Sequence, residues 1–270
     1  MSKQEWSYEG ETGPHNWHLM FPCASGHHQT PIDILTEKAL FDQKLATVPL
    51  KFTYNENCFK SVENTGSGFN VSGLANSVSS VKGGPVEHEH KFLQFHFHWG
   101  KTDNEGSEHL VNGKSYAAEL HIVNWNSQLY ESPAEAVKSN NHDGLIVLGI
   151  FLQAGKHNNE LDKIFTSLNE ISLKGQKTNL KEKLNLRNLF PNFSNYWSYK
   201  GSLTTPPCSE CVTWVVFQEP IEVSSEQLNS FRELYSCSNL KECNENTRIN
   251  FNFRPVCPLN DRIIKKSFSN

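Results

Sequence analysis

Hydrophobic and polar positions alternate over many short runs of the chain, which is the periodicity of half-buried β-strands. Turn-forming clusters rich in glycine, such as 66–68 and 83–85, separate these runs. The run 144–153 is apolar at nearly every position and predicts a strand that is buried on both faces. The predicted strands cover residues 50–54, 60–64, 69–71, 78–81, 92–99, 116–125, 144–153, 211–217 and 250–253.

Helical periodicity is rarer in this sequence. Amphipathic spacing predicts helices over 159–168 and 225–235, and a shorter helix over 133–139. Residues 1–30 show neither period, and their aromatic side chains predict an irregular arm packed on the core. The 270 residues suffice for one sizeable core, and no repeat or linker divides them. We therefore expect a single, mainly β domain over 1–270.

Net charge, apolar runs and cysteine content limit the classes of partner and the cellular compartment that the sequence predicts. The formal net charge of −4 does not indicate nucleic acid or an anionic membrane surface. No apolar run is long enough to span a bilayer, and the N-terminus lacks the apolar stretch of a signal peptide. Seven cysteines at no regular spacing predict free thiols in a reducing compartment, although Cys237 and Cys243 could pair if the loop between them folds back.

Two predicted strands carry histidines that share one face. His96 and His98 are two residues apart, so their imidazoles project side by side, with Gln94 on the same face. Such a pair alone is a weak indication, because many such pairs are ordinary strand residues. The next strand adds His121, with Glu119 two residues before it. Three histidines that leave one position open are typical of catalytic zinc, and a carboxylate often holds the other nitrogen of such a ring.

Four motifs follow one another along the chain, and the last ends on two prolines that keep the backbone extended. They are QFHFHWG at 94–100, GSEH at 106–109, YAAELH at 116–121 and SLTTPP at 202–207. Together they resemble the α-class carbonic anhydrases of the cytosolic, animal-like type, over nearly the whole chain. The resemblance implies one domain around a twisted, largely antiparallel ten-stranded sheet with short peripheral helices. It also implies a zinc lyase that hydrates CO₂ reversibly to bicarbonate and a proton, by attack of zinc-bound hydroxide, and so a part in pH regulation.

The same resemblance implies a set of site residues. The ligands of Zn²⁺ would be His96 and His98 through Nε2, and His121 through Nδ1. The acceptors for the other ring nitrogens would be Gln94, Glu119 and the backbone carbonyl of Asn252. The hydroxyl of Thr204 would accept a hydrogen bond from the hydroxide and donate its own proton to Glu108.

The pocket and the proton path are also carried over by resemblance. The apolar CO₂ pocket would consist of Val123, Val147, Leu203 and Trp214, with Thr205 on its polar side. The proton path would pass Tyr8, Thr65, Ser67 and Asn70. The fastest members of the family carry a proton-shuttling histidine at the position of Ser67, and serine cannot hold a proton near pH 7, so the usual shuttle is missing. The histidines without an assigned role are expected at the surface; they are His15, His18, His27, His28, His88, His90, His142 and His157.

Two alternatives remain open from the sequence. The chain could be an active enzyme with a weak esterase side activity or a catalytically inactive binding domain; intact ligands favour the enzyme. We expect a cytoplasmic monomer, or a secreted protein whose signal peptide has been removed. Secreted members pair a cysteine near Cys23 with one at the position of Cys208. The expected partners are CO₂ and bicarbonate, with anions and sulfonamide-type inhibitors at the zinc.

Overall fold

The structure of the chain is a computed structural model that describes residues 6–56, 58–74 and 78–269. Its main feature is a large mixed β-sheet accompanied by short helices. The strands are β1 (Asp33–Ile34), β2 (Leu40–Phe41), β3 (Lys51–Phe52), β4 (Phe59–Asn64), β5 (Phe69–Gly73), β6 (Ser80–Gly83), β7 (Val86–Trp99), β8 (Leu110–Val111), β9 (Ala118–Trp125), β10 (Leu145–Ala154), β11 (Lys177–Asn179), β12 (Tyr196–Gly201), β13 (Val212–Phe217), β14 (Ile221–Val223) and β15 (Lys265–Lys266).

The helices are short, and their starts follow capping chemistry. Ser224 and Gln227 form a reciprocal capping box at the start of α5, and Asn158 caps α4. The α-helices are α1 (Trp17–Met20), α2 (Gln43–Thr47), α3 (Pro133–Lys138), α4 (Asn159–Leu168) and α5 (Ser225–Arg232). The 3-10 helices are Gly10–Thr12, Pro14–Asn16, Pro22–Ser25, Thr36–Lys38, Asn169–Ile171, Leu186–Leu189 and Glu245–Thr247.

The large sheet joins thirteen strands within the described residues. Ten of them lie in the order β11-β4-β5-β7-β9-β10-β13-β12-β15-β2, while β14, β6 and β3 attach at its side. Three pairs are parallel, namely β10 with β13, β10 with β14, and β15 with β2, and the other pairs are antiparallel. The mainly β fold is therefore confirmed. The sheet is mixed rather than purely antiparallel, because strand β10 has two parallel neighbours.

One strand prediction was wrong, and several strands, of which β12 is the longest, were not predicted. Residues 250–253 form no strand: one backbone hydrogen bond, from the N–H of Asn252 to the carbonyl of Trp99, reaches β7, and the side chain of Asn252 makes two more in place of a continuing ladder. Strand β12 was not predicted, although it pairs with β13 along its full length. Its sequence lacks alternation because nearly all its residues are buried on both faces, with serine and tyrosine among them. Burial in the middle of a sheet hides the period-2 signal that a half-buried strand displays.

Strand β7 separates the core from the site. Phe95, Phe97 and Trp99 on one face enter a large apolar cluster and are almost fully buried. Phe231 of α5 stacks on Trp99 in that cluster, with ring centroids 5.1 Å apart. The histidines lie on the opposite face. Each large aromatic buried in this way contributes about 2–3 kcal/mol of apolar burial, so the core holds the histidine face in place.

The turn before Glu108 yields a stability prediction. Gly106 has φ +142°, and a Cβ there would lie 2.2 Å from the carbonyl oxygen of Ala117. We expect Gly106→Ala to lower the free energy of unfolding by more than about 3 kcal/mol, because strain and a backbone clash add. Gly113→Ala is the matched control: its φ is +77° with no atom within 4 Å. It should lose only about 1–2 kcal/mol. Urea unfolding measures both, and equal losses would contradict the proposed clash.

Candidate active site

The sheet register brings the predicted ligands together. His96 on β7 lies directly opposite His121 on β9, and His98 lies opposite Glu119. Cross-strand partners point to the same face of a sheet. The two histidines of β7 therefore lie on the same face as His121 of β9. One ring nitrogen from each of His96, His98 and His121 lies within 4.8 Å of the others.

Each of these rings is fixed by an acceptor on its far side. Nδ1 of His96 lies 2.9 Å from Oε1 of Gln94, and Nδ1 of His98 lies 2.7 Å from the carbonyl oxygen of Asn252. His121 uses Nε2 instead, 2.8 Å from Oε1 of Glu119. A neutral imidazole that donates from one nitrogen presents a lone pair on the other. The lone pairs therefore lie on Nε2 of the first two rings and Nδ1 of the third.

The donor set suits a zinc ion. Nε2 of His98 is buried and has no hydrogen-bond partner among the described residues. Burial, together with the neighbouring imidazoles, holds the pKa of His96 well below its usual value, and burial also lowers the pKa of His98. Both rings are therefore kept in the neutral form that binds metal. Three neutral imidazoles at one point are the ligand set of catalytic zinc.

Glu119 is the most heavily bonded carboxylate of the site. Its Oε1 accepts from His109 Nδ1 at 2.7 Å and from His121 Nε2, while Oε2 accepts the backbone N–H groups of Glu108 and His109. Burial alone raises the pKa of Glu119, but the two imidazoles and these hydrogen bonds hold it well below its usual range. The carboxylate is thus a permanent anion.

His109 is a site residue that the sequence reasoning missed. Its ring bridges Glu119 and the hydroxyl of Tyr199, which lies 2.6 Å from Nε2. Its only sequence signal was its place in the motif at 106–109. His109, Glu119 and His121 form a second group with metal-ligand spacing. Their facing atoms are already paired in hydrogen bonds, so this group is a second layer behind the histidine cluster rather than a separate metal site.

Glu108 lies beside the cluster, fully buried. Its Oε1 accepts the backbone N–H of Arg254 at 2.8 Å. Its Oε2 lies 3.3 Å from Nε2 of His98 and has no hydrogen-bond partner. Thr204 is buried in the segment after β12, and no hydrogen bond joins it to Glu108 in the described part of the chain. The carboxylate therefore keeps one acceptor oxygen free at the centre of the site.

An apolar surface flanks the histidines along the same face. Val123 lies opposite Gln94 on one side and Val147 on the other, and Val147 lies opposite Trp214. The rings of Trp214 and His121 are 4.8 Å apart. Val123, Val147 and Trp214 belong to an apolar cluster that is separate from the one behind β7, and Leu203 packs against this second cluster. Thr205 follows in the turn, where its carbonyl accepts the N–H of Cys208. The pocket residues assigned by resemblance are thus neighbours in space.

A cleft of about 760 Å³, the rim cleft, is lined by Tyr8, Thr65 and Ser67 but by none of the three clustered histidines. The hydroxyls of Thr65 and Ser67 are 3.2 Å apart, and Asn70 lies opposite His96 in the register. Burial and the Glu108 carboxylate raise the pKa of Tyr8 well above its usual value. No histidine lines the described part of this cleft.

Comparison with known proteins assigns the family. The model of the family described as eukaryotic-type carbonic anhydrase matches residues 12–268. The chain is also 43% identical over 272 residues to carbonic anhydrase 1 of Monodelphis domestica, which covers 99% of this chain and 100% of that relative. The chain belongs to the eukaryotic-type carbonic anhydrases. The resemblance is confirmed, and the protein is a carbonate dehydratase of a family that uses zinc and hydrates CO₂.

Several predictions outside the site can now be compared with the structure of the enzyme. His90 is almost fully buried, so its expected surface position was wrong; its ring lies between the backbone carbonyls of His88 and Asp143. Cys237 and Cys243 form a disulfide, the one pairing that the sequence left open, while Cys23 and Cys208 are free. No helix in the described ranges is long and apolar enough to cross a membrane.

The bonds at Glu119 predict the outcome of a conservative change. Glu119→Gln keeps the volume of the side chain but offers one acceptor oxygen to four N–H donors. We expect zinc affinity to fall about 10–100-fold, the range for residues that orient metal-binding histidines. Competition with a chelator measures it. Gln94→Ala is the control, because it removes one acceptor from His96 alone and should have the smaller effect. Unchanged affinity in Glu119→Gln would exclude an orienting role.

Proposed function

We propose that this carbonic anhydrase is catalytically active and hydrates CO₂ at a zinc ion held by His96, His98 and His121. One observation carries the proposal: one ring nitrogen from each of three imidazoles lies within 4.8 Å of the others, while the opposite nitrogen of each ring lies against a hydrogen-bond acceptor. Zinc in such a site supplies a nucleophile at neutral pH by lowering the pKa of bound water to about 7, the value known for carbonic anhydrases.

The chain's own residues would orient the reaction. Thr204 would accept a hydrogen bond from the attacking nucleophile and donate its hydroxyl proton to Glu108, directing the attack toward carbon. The free oxygen of Glu108 supports this role, because its partner oxygen is already held by the backbone of Arg254. A buried carboxylate that lacks one hydrogen bond is a strong acceptor for a neighbouring hydroxyl.

The apolar surface of Val123, Val147, Leu203 and Trp214 would hold CO₂. CO₂ carries no net charge, so dispersion contacts and exclusion of water favour it over ions. The short distance between Trp214 and His121 supports attack at this surface. Thr205 would lie on the polar side of the pocket. Anions and sulfonamide-type inhibitors would compete at the zinc.

Transfer of the product proton to solvent would be the weak step. The proposed path passes Tyr8, Thr65, Ser67 and Asn70, and Ser67 replaces the usual histidine. The raised pKa of Tyr8 makes it a poor proton carrier near pH 7. Hydroxyls can order water in the cleft, but they cannot store a proton at neutral pH.

The sequence left an inactive binding domain open, and one experiment tests the proposed activity against it. Zinc content and stopped-flow CO₂ hydration are measured on the same preparation. Stoichiometric zinc with hydration far above the uncatalysed rate supports the enzyme. Stoichiometric zinc without hydration would support the binding domain, and absence of zinc binding would exclude the proposed ligand set.

The cellular setting remains part of the proposal. We infer a single domain over 1–270 that acts as a cytoplasmic monomer. The free thiols of Cys23 and Cys208 support this location, because secreted members of the family join a cysteine near Cys23 to one at the position of Cys208, and here both are unpaired. The disulfide between Cys237 and Cys243 favours the secreted alternative. Isolation from its native source with localisation and thiol counting distinguishes the two.

The orienting role of Thr204 has a direct test. Thr204→Ala should keep zinc but lower kcat/KM roughly 10²-fold, the size typical of losing one orienting hydrogen bond. Glu108→Gln should lower it similarly, because an amide can donate to Thr204 and reverse the hydrogen bond. Stopped-flow hydration gives kcat/KM, and Thr205→Ala is the matched control with a smaller loss. Wild-type rates in either of the first two variants would exclude this role.

The proton path predicts a dependence on buffer. At low buffer concentration, proton release should limit kcat, whereas kcat/KM stays high because attack on CO₂ does not use Ser67. Imidazole should raise kcat, since proton transfer works best when the pKa of the acceptor lies near that of the donor. Ser67→His should raise kcat and weaken its dependence on buffer, and Ser67→Ala is the control without gain. A wild-type kcat that is high and flat from millimolar buffer upward would point to another relay.

A further inference from the structure

A second pair of histidines meets away from the catalytic face. His28 lies in the N-terminal arm and His142 in the loop before β10, 114 residues apart in sequence. Nδ1 of His28 and Nε2 of His142 are 3.0 Å apart, and the ring centroids are 5.0 Å apart. Both side chains are half-buried. The pair shares no residue with the zinc ligands or with the rim cleft.

The contact between the rings is a hydrogen bond that holds one proton. At 3.0 Å, one ring must present N–H and the other a lone pair. A metal cation that takes the place of the shared proton would receive a lone pair from each nitrogen. The ring that donates in the hydrogen bond would move its proton to its own opposite nitrogen, so both rings bind as neutral imidazoles without net release of a proton.

The separation of the nitrogens selects a class of metal. With metal–nitrogen distances of about 2.0–2.1 Å, nitrogens 3.0 Å apart subtend roughly 94° at the metal. Tetrahedral zinc requires about 109°, whereas square-planar or tetragonal ions take adjacent nitrogens near 90°. Cu²⁺ and Ni²⁺ have this preference, and Cu²⁺ binds more tightly in the usual order of divalent affinities.

The backbones on both sides are already held in place. The N–H of His28 donates to Oε1 of Glu210 at 2.6 Å, and the carbonyl of His142 accepts from Thr213 Oγ1 at 2.7 Å. Glu210 is itself fixed, because its N–H donates to Asn140 Oδ1 at 2.7 Å. Burial lowers the pKa of His142, as do His28 and Lys200, while the Glu210 carboxylate opposes this shift. The pair is thus preorganised, with a carboxylate near it to offset cationic charge.

We propose that His28 and His142 form a surface site for a divalent ion that prefers square-planar nitrogen ligands, Cu²⁺ before Ni²⁺. Water completes the coordination, and the carboxylate of Glu210 balances the charge. The bound ion joins the N-terminal arm to the loop before β10, so it stabilises the folded enzyme by binding to that state alone.

Copper titration of the zinc-loaded enzyme tests the site. CuCl₂ is added while calorimetry records binding, electron paramagnetic resonance records nitrogen coupling, and released zinc is measured. The wild type should bind one Cu²⁺ with two coupled nitrogens and no loss of zinc. His28→Ala and His142→Ala should each weaken this binding by at least roughly 10²-fold, since two held ligands gain about 10²–10⁴ in avidity over one.

Two further variants separate metal binding from folding. His142→Gln can still hydrogen-bond to His28 but lacks the imidazole donor, so it should keep the copper-free melting temperature and lose the copper site. His157→Ala removes an exposed histidine that pairs with Asp162, and it should bind Cu²⁺ like the wild type. Identical isotherms for wild type and His142→Gln would overturn the proposal. Zinc release equal to copper uptake in every variant would also overturn it, because copper would then occupy the catalytic ligands.

Discussion

The buried carboxylate of Glu119 is the interaction on which the site depends. An anion in the middle of a sheet is tolerable only when N–H donors surround it, and here four donors from three residues do so. Those donors belong to β9 and to the segment that carries Glu108. The Glu119 carboxylate therefore fixes the ring of His121 and also positions Glu108 through its backbone N–H.

The sheet supplies the remaining precision. Strand β7 is held by aromatic packing on one face, which leaves its other face rigid for His96 and His98. The neighbouring strands extend the same face from a polar side at Asn70 to an apolar side at Val147 and Trp214. Polar side chains and apolar side chains thus lie on adjacent strands of one face of the sheet. In the proposed function, attack on CO₂ would use this rigid surface, whereas proton release would use the turn at Ser67 and the arm at Tyr8. A change at Ser67 would then affect the second stage alone.

The copper site proposed at His28 and His142 is held by different contacts from those of the zinc site. There, two loops are brought together by Glu210, Asn140 and Thr213, which bind the backbone rather than the rings. The imidazoles bond to one another. The catalytic histidines, in contrast, have a separate acceptor for each ring. This difference in ring partners distinguishes an orienting zinc site from a pair of surface ligands.

The sequence by itself determined the mainly β fold and the three clustered histidines. Alternation on β7 and β9 is a local property, and the four motifs are contiguous runs of residues, so both can be read directly from the order of amino acids. The tertiary structure decided what depends on distant contacts. His109 became a site residue only through Glu119 and Tyr199, and the buried strand β12 had no alternation to reveal it. Residues 250–253 looked like a strand, yet Asn252 reaches β7 through one backbone bond and two side-chain bonds rather than through a ladder. His28 and His142 have no shared pattern, because residues 114 apart meet only when the chain has folded.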